Sequence, residues 1–216
     1  MITLYSHGTP NGHKISIVLE ELQLPYRIEL VDIFAGQGQA PEFLKLNPAG
    51  KVPAIRDEET GQVISESNAI LWYLAQKAGR LLPSGAEERT RAMELLFLQA
   101  SLVGPMFGQR AHFSMFGPEH VPYGIRRYEE QGEVINALVE QLLTANDYFL
   151  PSGYSIVDIA FVGWYHAANK TFPLPEHSRH LRRWFDAVMA RPAVRKGVGL
   201  PTGLPQLPPR RMLQAT

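Results

Sequence analysis

Apolar and polar positions follow two different periods along the first part of the chain. Residues 2–6 and 26–31 have the composition or the two-residue alternation that is typical of short strands. Between them, the apolar residues from 15 to 22 fall at helical spacing, which predicts a helix. A strand, a helix and a second strand in this order predict a parallel pair with a right-handed crossover.

The same unit continues to about residue 82. A short helix is expected over 41–46, since Pro41 suits a first helical turn. Residues 51–55 and 62–65 flank a turn-forming stretch and predict a hairpin. A helix over 67–78 follows and ends at a glycine. The order of these elements predicts a mixed sheet with helices.

Strand patterns stop after this unit, and the following segments have helical length and periodicity. They are 87–103, 123–143, 156–170 and 177–190. The predicted fold class is therefore an α/β domain with a mixed sheet over 1–82, a linker over 83–86 and an all-α domain over 87–196. A proline-rich tail over 197–216 is not expected to form regular structure unless it packs on the body.

Composition narrows the possible functions. The 216 residues are 45% hydrophobic and 19% charged, as in a globular protein. The 21 basic and 21 acidic residues give no net charge, which argues against nucleic acid or an anionic membrane as the main partner. No signal-peptide pattern or membrane-length apolar run is present, so we expect a cytoplasmic protein.

Cysteine is absent from the chain. This excludes disulfide bonds, thiolate metal sites and a thioredoxin-type dithiol enzyme, and we expect no metal cofactor. Any thiol chemistry must use sulfur that a ligand supplies.

Two local motifs of the first domain could hold a peptide-like ligand. Ser67 is expected to cap a helix, where free amides and the helix dipole favour a carboxylate, and Glu66 could meet an ammonium group. Val52 precedes Pro53 at a strand entrance, and a cis peptide would leave the Val52 amide and carbonyl free to pair with a peptide backbone. The alternatives are an ordinary helix cap and a trans proline at a strand edge.

In this order the motifs resemble the glutathione S-transferase family, and within it the bacterial Nu class of disulfide-bond oxidoreductases. The resemblance extends over nearly the whole chain. Its most specific segments are 9–15, 47–55, 66–67, 104–109 and 112–113. The class is also similar to the yeast prion-forming nitrogen regulator. The resemblance implies a thioredoxin-like N-terminal domain, an all-α C-terminal domain and a homodimer that binds glutathione or glutathione disulfide.

The resemblance also implies which residues bind glutathione. Val52, between Lys51 and Pro53, would pair with the cysteinyl backbone, and Glu66 with Ser67 would hold the γ-glutamyl end. The family has a glutamine three residues before a Pro-Glu-Phe run, where this chain has glycine, so either neighbouring glutamine would reach the glycyl end. The implied set is Asn11, Gln37, Gln39, Lys51, Val52, Pro53, Glu66, Ser67 and Arg127, the last acting from the partner subunit.

Thr9 and Asn11 are the candidate catalytic residues, since the resemblance places them against the glutathione sulfur. A free thiol with a pKa of about 8.5 is mostly protonated at neutral pH, and a hydroxyl and an amide NH₂ at a helix N-terminus would stabilise its anion. A glutathione thiolate could then attack a bound disulfide, and a second glutathione would complete the exchange. Without the resemblance, residues 9–12 are equally a plain turn in which Asn11 caps a helix.

The helical half adds two further predictions. Residues 155–158 form a Ser-x-x-Asp capping arrangement that resembles the buried cap of the family and has a role in folding. Phe107, His112, Phe113 and Tyr123 could line a second-substrate pocket between the domains, although such an aromatic stripe is otherwise core.

The expected function is glutathione-dependent disulfide reduction by a member of this family, with small thiols and disulfides as substrates. Weak transferase and peroxidase activity is compatible with it. The alternative is a non-catalytic glutathione-binding protein that acts through a partner. Against it, the chain lacks the Asn/Gln-rich N-terminal extension of a prion-like regulator.

Overall fold

The computed structural model describes residues 1–203, so most of the predicted tail lies outside the described residues. The elements of the N-terminal domain are β1 (Ile2–Ser6), α1 (Pro10–Leu22), β2 (Tyr26–Leu30), α2 (Pro41–Leu44), β3 (Ala54–Asp57), β4 (Val63–Ser65) and α3 (Ser67–Ala78). The strands form one sheet in the order β2-β1-β3-β4, with β1 and β2 parallel and the other pairs antiparallel. The predicted mixed sheet is therefore confirmed.

The C-terminal part of the described chain is helical, as predicted. Its elements are α4 (Ala86–Leu98), α5 (Gly104–Ala111), α6 (Pro122–Leu142), α7 (Ile156–Asn169), α8 (Arg179–Met189) and α9 (Pro192–Gly197), with π-helical turns over Gln99–Val103 and His112–Phe116. The sequence patterns predicted neither α5 nor α9. Pro192 lies in the first turn of α9, where its missing N–H breaks no helical hydrogen bond. Helix α5 instead continues α4 without a break through the first π-helical turn, so Pro105 lies inside one helical run.

Helix α1 is enclosed by three other helices, α3, α7 and α9. Arg191 clamps α9 onto it, because its Nε and Nη2 atoms donate to the Glu21 carboxylate at 2.6 and 2.9 Å. Gly197 allows this approach, since a Cβ atom there would lie 2.6 Å from the Ile17 side chain. As a result nearly every residue of α1 is buried, including polar ones.

The predicted capping box at the start of α7 is confirmed. The Ser155 hydroxyl accepts from the Val157 amide at 3.1 Å, and the Asp158 carboxylate accepts from the Ser155 amide at 2.8 Å. The other Asp158 oxygen accepts from the Trp184 indole at 2.8 Å, which ties α7 to α8. The capping box fixes the residue at which α7 begins. One residue of α7, Trp164, lies beside the start of α1.

A buried lysine joins α1 to α3 and to the first π-helical turn. Only 1% of Lys14 is exposed, and its Nζ donates to Ser67 Oγ at 3.1 Å, Asn68 Oδ1 at 3.0 Å and Gln99 Oε1 at 2.6 Å. These three oxygens satisfy the three donors of the ammonium group, but none carries a charge. Burial lowers the pKa of Lys14 to about 7, against a smaller opposing effect of the Glu66 carboxylate.

The depressed pKa of Lys14 predicts a pH-dependent stability. Between about pH 7 and pH 10 the unfolded chain holds a proton that the folded chain lacks, so raising the pH favours the folded state. The free energy of unfolding, compared with that of Lys14→Met at the same protein concentration, should rise across this range by up to about 1.4 kcal/mol per pH unit. Urea denaturation of both proteins from pH 6 to pH 10 measures it. Parallel pH curves would contradict the prediction.

Candidate functional site

The N-terminus of α1 opens onto a cavity of about 350 Å³, which we call the α1 cavity. It brings together five of the residues that the sequence singled out, namely Thr9, Asn11, Gln39, Lys51 and Val52. The other lining residues are Pro10, Ile33, Gly36, Gly38, Gly50 and Trp164. Backbone and side-chain polar groups from three separate loops therefore converge on one space.

Thr9 and Asn11 each have a donor left for a ligand. Thr9 is the N-cap of α1, and its hydroxyl oxygen accepts from the Gly12 amide at 3.1 Å, which leaves the hydroxyl proton free to donate. The alternative that Asn11 caps the helix is wrong. Its Oδ1 accepts instead from Trp164 Nε1 at 2.9 Å and from Ser67 Oγ at 3.3 Å, so the amide NH₂ is the part of the side chain left for other partners.

The Val52–Pro53 peptide bond is cis, as the motif suggested. Among the described residues, no hydrogen bond uses the Val52 amide or carbonyl. The preceding turn is held by buried Asn47, whose Nδ2 donates to the Lys51 carbonyl at 2.6 Å. The backbone of Val52 therefore offers one donor and one acceptor at the wall of the α1 cavity.

The two candidate glutamines lie in different places. Gln39 lines the α1 cavity, whereas Gln37 accepts from the Asp32 amide at 2.7 Å through its Oε1 and lines a different cavity. Between them, Gly38 is packed against Gly50, where a Cβ atom would lie only 2.6 Å from the Gly50 carbonyl oxygen. A glutamine therefore cannot stand at position 38 in this loop conformation, and of its two neighbours Gln39 is the one that lines the α1 cavity.

A second cavity of about 290 Å³, the α3 cavity, adjoins the start of α3. Asn11 and Trp164 line both cavities, so the two spaces meet at these side chains. The other lining residues are Lys14, Glu66, Ser67, Asn68, Gln99, Ala100, Gly104, Pro105, Gly108 and Gln109.

The prediction that Ser67 caps α3 is wrong. The N-cap is Glu66, which has a positive φ of 69° and no side-chain capping bond, and Ser67 is the first helical residue. The Ser67 hydroxyl is used elsewhere, because it accepts from Lys14 and donates to Asn11. Both residues nevertheless line the α3 cavity.

The predicted aromatic wall is not part of these cavities. Phe107 is buried in the core, where its ring meets the Tyr165 ring edge-on at 5.3 Å, so the core alternative holds for it. The Phe113 ring stacks on the Tyr128 ring, with 5.4 Å between the ring centroids. His112, next to Phe113 in the chain, is exposed. These side chains line neither cavity.

Arg127 and Tyr123 project from the first turns of α6 and are exposed. Neither lines the α1 or the α3 cavity of its own chain.

Sequence reasoning missed Lys14, Gln99 and Trp164. Lys14 carried a signal, because it stands on the apolar stripe of α1, four residues before buried Val18. Trp164 carried none, since a tryptophan in an apolar helix resembles any core residue.

Among residues 1–203, no three His, Asp or Glu side chains are grouped so that they could hold a metal ion. None of the helices in this range combines the length and apolar composition needed to cross a bilayer.

Comparison with known proteins matches both halves of the chain. Residues 9–77 fit the family model of the glutathione S-transferase N-terminal domain, and residues 110–192 fit that of the C-terminal domain. The disulfide-bond oxidoreductase YfcG of Escherichia coli K12 is 38% identical over 199 residues, which cover 89% of this chain and 92% of YfcG.

Solved structures agree with the sequence matches. A glutathione transferase of Burkholderia graminis with two glutathione molecules per subunit has a TM-score of 0.88 and 36% identity, covering 93% of this chain and 88% of that one. A glutathione transferase of Pseudomonas putida with one glutathione disulfide per subunit has a TM-score of 0.87 and 32% identity, covering 93% and 91%. The chain belongs to the glutathione S-transferase family.

Proposed function

We propose that this protein reduces disulfides with glutathione, and that it holds the glutathione thiolate or disulfide without a protein cysteine. The observation that carries the proposal is the pair of unused donors, the Thr9 hydroxyl and the Asn11 NH₂, at the positive end of α1. The name of the E. coli relative and the ligands of the two solved relatives support it. The proposed place of action is the cytoplasm, whose glutathione pool would supply the thiol.

The reaction needs only glutathione and the substrate disulfide. Hydrogen bonds from Thr9 and Asn11, together with the α1 dipole, stabilise the glutathione thiolate. This thiolate attacks one sulfur of the disulfide, forms a mixed disulfide and releases the other sulfur as a thiolate that takes up a proton. A second glutathione thiolate then attacks the mixed disulfide, which yields glutathione disulfide and the second substrate thiol.

The tripeptide would lie across both cavities. Its cysteinyl backbone pairs with the free amide and carbonyl of Val52, beside Pro53. The glycyl carboxylate lies near Lys51 and Gln39, and the γ-glutamyl end lies near Glu66 and Ser67. In this arrangement residues 1–82 form the glutathione-binding domain.

We further propose a homodimer that forms through α3 and α4. An apolar groove of about 430 Å³ runs between these helices, and Phe97 on its edge is 66% exposed. Glu66 and Asn68 line both this groove and the α3 cavity, so a second subunit here would lie next to the site, and Arg127 of the partner subunit would contact glutathione.

Phe97→Asp should convert the dimer to monomers and weaken glutathione binding, because a buried unpaired carboxylate opposes association. Sedimentation velocity at micromolar concentration and calorimetric titration measure the two effects. Leu30→Asp, at an exposed apolar residue of β2 outside the groove, is the matched control. A wild-type protein that sediments as a monomer would contradict the proposed dimer.

Thr9→Ala should lower the turnover of a small symmetric disulfide by about tenfold or more, because one thiolate donor is lost. The rate is measured with glutathione, coupled to glutathione reductase and corrected for the uncatalysed reaction. Thr9→Ser should restore most of the rate, and Thr144→Ala removes an exposed hydroxyl far from the site as a control. Undiminished turnover in Thr9→Ala would contradict the assignment. If the wild-type protein binds glutathione but does not reduce the disulfide, a conjugating or a non-catalytic role is favoured instead.

Gln39→Ala should weaken glutathione binding about tenfold, whereas Gln37→Ala should change it less than twofold. The reason is that only Gln39 lines the α1 cavity, while Gln37 is bonded to the Asp32 amide. Calorimetric titration with glutathione measures both affinities. The two variants are a matched pair, since the substituted residues lie on either side of Gly38. The opposite order of affinities would assign the glycyl end to Gln37.

A further inference from the structure

Trp164 reaches Asn11 from a helix that lies 153 residues further along the chain. Its indole Nε1–H donates to Asn11 Oδ1 at 2.9 Å. An indole nitrogen can only donate, so this neighbour selects the orientation in which the Asn11 amide presents its oxygen to α7. The NH₂ group of the same amide is then directed away from Trp164.

A second neighbour imposes the same orientation. While Lys14 is protonated, its ammonium group has donors only and bonds to Ser67 Oγ, so that hydroxyl acts as an acceptor. The Ser67 proton is therefore directed to Asn11 Oδ1 at 3.3 Å. A reversed Asn11 amide would place its NH₂ against two donors and leave both without an acceptor, which is unfavourable in a part-buried site.

Glycines lie beside the Trp164 ring and at the contact of α7 with α1. Gly104 and Gly108 are one turn apart on α5; a Cβ atom at Gly104 would be slightly tight at 3.3 Å from Trp164 Nε1, and one at Gly108 would make an ordinary contact of 3.4 Å with its Cη2 atom. Gly163 lets α7 approach α1, because a Cβ atom there would lie 2.6 Å from the Pro10 carbonyl oxygen. The 104–109 segment thus forms one side of a slot for the indole.

We propose that Trp164 is a positioning residue that fixes the Asn11 amide with its NH₂ group toward the glutathione sulfur. The inference rests on the proposed function, because it assigns Asn11 to that sulfur. Trp164 acts through Asn11, and its slot on α5 makes the helical domain a part of the sulfur site.

A double-mutant cycle between Trp164→Phe and Asn11→Ala separates positioning from packing. Trp164→Phe keeps an aromatic ring but loses the N–H donor. It should raise the pKa of the bound glutathione thiol, measured by thiolate ultraviolet absorbance, and lower kcat about tenfold with less than a threefold change in KM. In the Asn11→Ala background it should cost nothing more. Equal losses in both backgrounds would overturn the proposal.

The control is Tyr165→Phe, which also removes one hydrogen-bond donor from an aromatic residue of α7. The Tyr165 hydroxyl bonds to Asn136, away from Asn11, so kcat and the thiol pKa should stay unchanged. Losses as large as those of Trp164→Phe would show a general effect of α7 and overturn the proposal.

An NMR measurement tests the contact even if Trp164→Phe fails to fold. The chain has three tryptophans, so the spectrum of protein labelled with ¹⁵N-tryptophan has three indole signals. Asn11→Ala should move the Trp164 indole signal upfield and leave the other two in place. An unmoved signal would overturn the proposal. A moved signal in a protein without disulfide turnover would instead locate the failure in the proposed function.

Discussion

The arrangement of the site depends on one buried positive charge. Moving an ammonium group out of water costs roughly several kcal/mol of free energy. Lys14 offsets this cost only through hydrogen bonds to three oxygens, which come from two different elements. Because Lys14 donates to all of them, it sets the direction of the hydrogen bonds around it. The Ser67 hydroxyl becomes a donor to Asn11, and the Asn11 amide is oriented as a consequence. The charge of Lys14 on α1 thus helps to determine that the Asn11 amide has its NH₂ group free at the α1 cavity.

The fold was largely predictable because its elements carry strong local signals. Alternation and helical spacing predicted the order of β1, α1 and β2, and the hydroxyl and carboxylate of Ser155 and Asp158 predicted the start of α7. The elements and boundaries that were not predicted have local causes. Pro105 and Pro192 interrupt the helical sequence pattern, although a π-helical turn continues α4 into α5 and Pro192 lies in the first turn of α9. Strand β3 begins only at Ala54, because Pro53 has no N–H for a strand ladder.

The candidate site was predictable only in part, since its groups meet by tertiary packing. Thr9, Asn11 and Val52 were found through motifs and a family resemblance, and the structure brings them to one cavity. The capping role of Ser67 failed because a lysine 53 residues earlier uses its hydroxyl. The contact of Trp164 with Asn11 spans most of the chain, and no spacing rule connects two such positions.

The enclosure of α1 by later helices sets the order in which a growing chain can complete the site. The strands and α1 leave the ribosome early, whereas α7 and α9 emerge last. Until Arg191 reaches Glu21 and Trp164 reaches Asn11, part of the surface of α1 is uncovered and the Asn11 amide lacks one of its two orienting donors. The nascent N-terminal domain therefore has an incompletely covered α1, and the α1 cavity gains its last lining side chain, Trp164, only late in translation.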